Sequence, residues 1–507
     1  MSQVVGLDKA DRTGETTDPD ELVAILERQR QAFLREGPAS AAVRRDRIDR
    51  LLAMVLDNID DFVEAMSRDF GTRSRTGMLF AEIMGMLTAF EHTRSHTERW
   101  MRPIRPNRLA RLYGIRTEIH PSPLGVVGII GPWNFPLQLV VVPAASAFAA
   151  GNRVMIKMSE ITAHTAELTR SLAGRYFHQD ELAVVTGGPD IGAAFTRLPL
   201  DHLFFTGSTG VGRLVQRAAA ENLVPVTLEL GGKNPIVVGP DADFDRAANR
   251  IARARMVNGG QVCVCPDYVF VPASRIEQFT DSLRTELRGM FPSILANDDY
   301  TTSVDTANYE RVVALIEDAR ARGASVESLA PAGEELPDPV ARKIAPTLIR
   351  DVTDDMRIAD EEVFGPVLLI KPYTDLADVI DYINARPSPL VAYWFGPDRK
   401  DFRKFVDGTR SGGIARNEFA IHMFSENAPF GGVGNSGMGA YHGKTGFDTF
   451  SHLRTVAGTD LPFAITGIAA PPFDRRTVQF IDLALRAARW RTGRRVRGRL
   501  PRREPTS

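Results

Sequence analysis

The chain has 507 residues, 43% of them apolar, and its Lys and Arg balance its Asp and Glu to a formal net charge of −1. That length is too great for one ordinary core, and the composition fits a soluble protein of two or three domains with no nucleic-acid partner expected. Two cysteines, Cys263 and Cys265, exclude a disulfide framework and point to a reducing compartment, the cytoplasm.

In chain order, residues 1–20 are polar and acidic without an apolar run behind a basic start, and are read as a loose tail, not a secretory leader. Residues 21–100 follow with apolar positions at helical spacing, Leu22, Ile25 and Leu26, then Ile48, Leu51, Leu52 and Val55, which predict helices wrapped around a neighbouring domain. Residues 121–152 carry no formal charge and are long enough to span a bilayer. Pro132, Pro136, Pro143 and several glycines interrupt them, so the reading is a buried strand, a turn and a helix. Short apolar runs bounded by turns, GVVGII (125–130), RVMIK (153–157), AVVTGG (183–188) and HLFFTGS (202–208), predict βαβ units and a parallel sheet. A second alternating region begins near Gly231, with strand-like PDYVFVP (266–272) and VLLIKPY (367–373) and a helix over 275–291. Residues 475–507 stand apart. They hold eleven arginines against Asp482 and Glu504, which leaves about −10 on residues 1–474. Val478, Phe480, Ile481, Leu485 and Trp490 are read as one side of a basic helix, either a solvated or self-docking arm on the acidic body or the kind of pattern that marks contact with an anionic membrane surface or nucleic acid.

Three residues make an acyl-transfer set. Cys263 is a candidate nucleophile, Glu229 in LELGGK a candidate base before a glycine turn, and Asn134 in GPWNFP a candidate side-chain donor to an oxyanion. Cys265 reads as a packed small side chain, His442 as structural, and C-x-C without nearby His supplies too few ligands for a metal. Gly207, Ser208 and Gly212 form a strand-to-helix turn that lacks the middle glycine of the usual dinucleotide fingerprint.

The motifs GPWNFP, KMSE, FTGSTGVG, LELGGK, GQVCVCPDY, EEVFGP and PFGGVGNSGMGAYHG, in this order, resemble the aldehyde dehydrogenase superfamily over residues 20–460. SRDFGTRSR (67–75), RWMRPIRP (99–106) and GMGAYHGKTGFDTFSH (437–452) look like its class 3 branch, especially coniferyl aldehyde dehydrogenases. The resemblance implies an α/β fold with a Rossmann-type cofactor domain (21–230, with a bridging segment near 101–123), a catalytic domain (231–416), a return to the cofactor and bridging region (417–460) and a basic tail (461–507). It implies oxidation of an aromatic or hydrophobic aldehyde through a hemithioacetal and a thioester on Cys263, with Asn134 and the Cys263 N–H holding the oxyanion and a partly buried Glu229 activating water. Cofactor contacts carried over by resemblance are Ser208 with Gly207 and Gly212 at the pyrophosphate, Lys157, Ser159 and Glu160 at the adenosine ribose, Gly231, and Glu362, Phe364 and Trp133 at the nicotinamide end. Glu160 tilts the expectation toward NAD over NADP, since a carboxylate repels a 2′-phosphate, although class 3 relatives tolerate NADP. Met158 stands where the family usually has Pro. Relatives of this kind form homodimers. A cysteine hydrolase, an aliphatic aldehyde dehydrogenase and a tail-mediated binding protein remain the alternatives.

Overall fold

The computed structural model describes residues 16–107, 111, 114–462, 464 and 470–496. Five helices open the chain: α1 (Pro19–Glu36), α2 (Ala41–Leu56), α3 (Ile59–Phe70), α4 (Arg75–Met78) and α5 (Gly85–Trp100), with a π-helical turn, Leu79–Met84, before the last. Asp18 caps α1 through the N–H of Asp20, and Thr17 pairs with Thr186, so the chain is tied down immediately before the first helix.

After β1 (Ile115–Pro123), the strands β2 (Val126–Ile130), β3 (Arg153–Lys157), β4 (Leu182–Val185), β5 (His202–Gly207) and β6 (Val226–Leu230) alternate with α6 (Gln138–Ala150), α7 (Ala163–Tyr176), α8 (Pro189–Thr196) and α9 (Thr209–Ala220). The second series comprises β7 (Asn234–Val238), α10 (Phe244–Met256), β8 (Pro266–Pro272), α11 (Ile276–Met290), α12 (Thr306–Ala321), β9 (Ser325–Ser328) and β10 (Thr347–Arg350). It continues with α13 (Arg357–Asp360), β11 (Val367–Tyr373), α14 (Leu376–Asn384), β12 (Val391–Phe395), α15 (Lys400–Gly408) and β13 (Gly413–Arg416). The last described elements are β14 (Gly437–Met438), α16 (Gly443–Thr449), β15 (Ser451–Thr459) and α17 (Arg475–Val496).

Of the two larger sheets, one has the order β14-β6-β5-β2-β3-β4, parallel except for β14. The other has the order β13-β12-β7-β8-β11-β10-β9, parallel except for β9. The uncharged stretch 121–152 is the end of β1, then β2, the GPWNFP turn and α6. Pro143 lies inside that helix, where it withholds one backbone donor. Both faces of the parallel sheets are covered, which is why β2, β3 and β8 are almost wholly buried and are built around the apolar runs VVGII, VMI and YVFV.

Residues 16–103 and 120–454 make one compact unit; residues 104–119, with those from 455 onward that are described, make a second. In the second, Ile104 bridges to Ile119, Arg116 pairs with Asp460 at 2.7 Å and the Thr459 hydroxyl donates to the Gly114 carbonyl. α17 has no buried residue. At 100° per residue, Val478, Ile481 and Leu485 share one stripe while Phe480 and Trp490 fall on the far side. The expected single apolar side is therefore corrected to two apolar stripes between arginines. Residues 1–15 and 497–507 of the two expected tails lie outside the described residues. No described helix is long and apolar enough to cross a membrane.

Candidate active site

Because β2, β3, β5 and β6 run parallel, their carboxyl ends open on one edge of the sheet. The winding reverses between β2 and β5, and that switch point is where open α/β sheets bind ligands. The sequence-predicted residues fall there: Trp133 and Asn134 after β2, Lys157 to Glu160 at the end of β3, Gly207 to Gly212 at the end of β5, and Gly231 directly after β6.

Ser208 caps α9 by accepting from the Val211 N–H (3.4 Å), which leaves the positive end of a twelve-residue helix facing outward. A Cβ on Gly212 would sit 2.6 Å from a Leu230 methyl, so only glycine lets α9 approach β6 this closely, while the Cβ position of Gly210 meets open space. Buried Lys157 donates to the Met158 carbonyl at 2.7 Å and lies 3.5 Å from the exposed Glu160 carboxylate; desolvation lowers the lysine's pKa. Ser159 caps the short turn behind Glu160. On the second sheet's side, a Cβ on Gly231 would come within 2.2 Å of the Glu362 carboxylate, so that glycine makes room for the acid. Burial pushes Glu362 up to about 8, helped by Asp267 and opposed by the Gly232 N–H. Phe364 sits at φ +50°, a strained backbone for an aromatic, and its ring stands edge-on to Trp133 at 5.3 Å. An anion-favouring helix end, an ammonium beside an exposed carboxylate, and a buried carboxyl group with a pair of packed aromatic rings suit the pyrophosphate, ribose and ring of a dinucleotide.

The thiol loop follows α10. The Cys265 N–H closes a turn onto the Val262 carbonyl (2.9 Å), and the N–H groups of Cys263 and Val264 within that turn interact with the Cys263 sulfur. The Asn234 amide, at the start of β7, donates to the carbonyls of Cys263 (2.7 Å) and Cys265 (3.0 Å), and the Tyr393 hydroxyl donates to Val264 O at 2.7 Å. Asn134 donates one N–H to the Gln261 carbonyl at 3.1 Å, which ties the two loops together and leaves its second N–H for a ligand oxygen. Desolvation pushes the Cys263 thiol up to about 12, with the Glu362 and Glu229 carboxylates adding to it and the two N–H groups opposing.

Glu229 corrects an expectation. It is fully buried, not partly: the strand carrying it is flanked by β5 and β14, and neither carboxyl oxygen has a hydrogen-bond partner among the described residues. Desolvation raises its pKa well above the ordinary carboxyl value. Cys265 packs against the carbonyls of Ala254 and Arg255. His442, at φ +76°, stacks on Phe430 at 5.2 Å, and burial lowers it to about 4. Sequence reasoning missed Asn234, Tyr393, Asp267 and Arg311. Arg311 grips the Glu362 and Val363 carbonyls (3.0 and 2.7 Å), and Asp267 accepts from the Val363 N–H while pairing with Lys233. Lys233 and Asp267 sit inside motifs already singled out, LELGGK and GQVCVCPDY, which was the available signal.

A thiol loop tied to strand ends whose residues fit a dinucleotide suits an oxidoreductase that uses one. Residues 13–456 match the aldehyde dehydrogenase family, and the chain belongs to that family. Its chemistry is NAD(P)-dependent oxidation of an aldehyde. Among its relatives, a coniferyl aldehyde dehydrogenase of Pseudomonas sp. is 44% identical, over 87% of this chain and 92% of the relative. The dimeric NADP-preferring aldehyde dehydrogenase of Rattus norvegicus is 36% identical, over 85% and 93% respectively. The substrate-bound structure of Staphylococcus aureus AldH superposes with a TM-score of 0.85 at 32% identity, covering 93% of this chain and all of that one.

Proposed function

We propose that the chain oxidises hydroxycinnamyl aldehydes such as coniferyl aldehyde to the carboxylate, with Cys263 as nucleophile, Asn134 as oxyanion donor and Glu229 as the base for hydrolysis. The observation that carries the assignment of roles is the Asn134 to Gln261 hydrogen bond, which sets a free amide N–H beside the thiol loop. The Cys263 sulfur adds to the aldehyde carbon, and the second Asn134 N–H with the Cys263 N–H holds the oxygen as it becomes charged. An oxidised nicotinamide, when bound, would supply the hydride acceptor and a positive charge that favours the thiolate. Loss of hydride from the hemithioacetal carbon leaves a thioester on Cys263, and Glu229 takes a proton from the water that cleaves it to the carboxylate and the free thiol. Lys157, Ser159, Glu160, Gly207, Ser208, Gly212 and Gly231 hold the adenosine and pyrophosphate side; Trp133, Glu362 and Phe364 hold the ring side.

The substrate class rests on the 44% identity to the Pseudomonas enzyme. It is tested by following NADH and NADPH formation with coniferyl aldehyde, benzaldehyde and hexanal: preference for the cinnamyl substrate supports it, and preference for hexanal moves the assignment to aliphatic aldehydes. Asn134→Ala is expected to lower kcat roughly 100- to 1000-fold, the usual effect of losing one oxyanion donor. NAD is the preferred cofactor in this reading, and Glu160→Gln is expected to raise the NADP to NAD ratio of kcat/KM about tenfold, equivalent to ~1.4 kcal/mol. A homodimer is the proposed assembly, and the arginines of α17 are the proposed point of contact with anionic membrane surfaces.

A further inference from the structure

The segment SRDFGTRSR takes no part in the chemistry above, yet it sends Arg73 into the interior, where the side chain is 3% exposed and pairs with Glu82 at 0%. The guanidinium lies over the Phe70 ring at 4.4 Å and near the Phe135 ring at 5.4 Å. Outside the pair, its one hydrogen bond to an oxygen among the described residues goes to the backbone carbonyl of Asn134, at 2.9 Å. Asn258, held at φ +51° in the turn before the thiol loop, donates to the same carbonyl at 3.2 Å. The peptide that carries the Asn134 side chain is thus gripped from two sides.

Glu82 completes the arrangement. It approaches Arg73 at 3.3 Å and accepts from the Gln138 N–H at 2.9 Å, the first residue of α6. α6 has no side-chain cap and no acidic residue in its first turn, so Glu82 serves as its cap from another element and meets the positive end of its dipole. Glu82 lies in the π-helical turn Leu79–Met84, a local widening that recurs at functional sites. A buried ion pair adds little net stability over apolar groups of the same volume, so stability alone is a poor reason for one here. Apart from a contact of Arg73 with the Met66 sulfur, the outward hydrogen bonds of the pair end between Asn134 and Gln138, on the GPWNFP turn and the start of the helix that follows it.

We propose that Arg73 and Glu82 are positioning residues for the oxyanion site: the buried pair fixes the Asn134 peptide and the start of α6, and so sets where the Asn134 amide meets the aldehyde oxygen. This rests on the reading of Asn134 as oxyanion donor. The test is a mutant cycle in the full-length protein. The pair is replaced by apolar volume (Arg73→Met with Glu82→Leu), Asn134 by Ala, and then all three together, with kcat, KM for aldehyde and NAD, and thermal unfolding measured for each. The pair variant is expected to lose kcat about tenfold or more with its KM for NAD unchanged, and to lose nothing further once Asn134 is Ala. Should the double replacement fail to fold, Glu82→Gln keeps the shape, removes the charge, and is expected to give the same non-additive loss on a smaller scale. Arg73→Lys is expected to restore part of kcat, because an ammonium can still donate to the Asn134 carbonyl. Full kcat in a folded pair variant, or losses that multiply with Asn134→Ala, would overturn the positioning role alone. Full kcat in Asn134→Ala itself would instead remove the oxyanion reading, and this proposal with it.

Discussion

Changing Cys263 to Ala is expected to remove NADH formation by roughly a million-fold, the scale seen when a covalent nucleophile is deleted. Dinucleotide affinity, followed by fluorescence titration, should be unchanged. The separation is expected because Asn234 and Tyr393 hold the loop through the backbone carbonyls of residues 263 to 265, which the substitution leaves in place. Labelling adds a second reading of the same residue. An ordinary thiol titrates near 8.5, but burial and the neighbouring carboxylates push Cys263 up to about 12. Iodoacetamide should therefore react slowly with the cofactor-free protein at pH 8 and faster as the pH climbs toward 12, with no plateau by pH 10. Cys263→Ala should abolish the labelling, since Cys265 is buried against backbone carbonyls. Labelling that survives in that variant would transfer the nucleophile to Cys265.

Part of this site is local, and that part is legible in the sequence. The runs ending in Ile130, Lys157 and Gly207 have apolar centres because their strands are covered on both faces; Gly131 and Ser208 directly follow the first and third, and Met158 with the capping Ser159 follows the second. Placing ligand contacts at those ends needs only the parallel βαβ rule. The long-range ties leave no periodic trace. Arg73 reaches Asn134 across 61 residues and Tyr393 reaches Val264 across 129, and nothing in the local spacing of an Arg or a Tyr announces such a partner. The burial of Glu229 depends on β14, a two-residue strand more than two hundred residues downstream that covers the edge of the sheet. Phe364 at positive φ breaks the backbone preference of its residue type, so propensity cannot anticipate it. On α17 the apolar positions were legible individually, but helical geometry divides them between two stripes.

Glu229→Gln carries the other large expected effect, and it separates two steps. If Glu229 serves hydrolysis, steady-state turnover falls roughly 100- to 10,000-fold, the range for loss of a positioned base. A first burst of NADH persists, because Cys263 can still be acylated. The stalled thioester is then visible as a mass increment on the peptide that contains Cys263. Loss of the burst as well would place Glu229 in deprotonation of the thiol. The same variant tests the burial of the carboxyl. Desolvation raises the pKa of Glu229 in the folded protein, so the folded state holds its proton at pH values where the unfolded chain, with an ordinary value of about 4.3, has released it. Stability therefore falls as pH rises from the ordinary value toward the raised one, and below the ordinary value the group contributes no pH dependence. Glutamine has no proton to lose. Its constant difference in packing and hydrogen bonding cancels when the melting temperature of the variant relative to the parent is compared between pH 4 and pH 8. That difference should shift in favour of the variant as pH rises, and a difference that stays flat over the range would mean that the carboxylate is solvated in the folded enzyme.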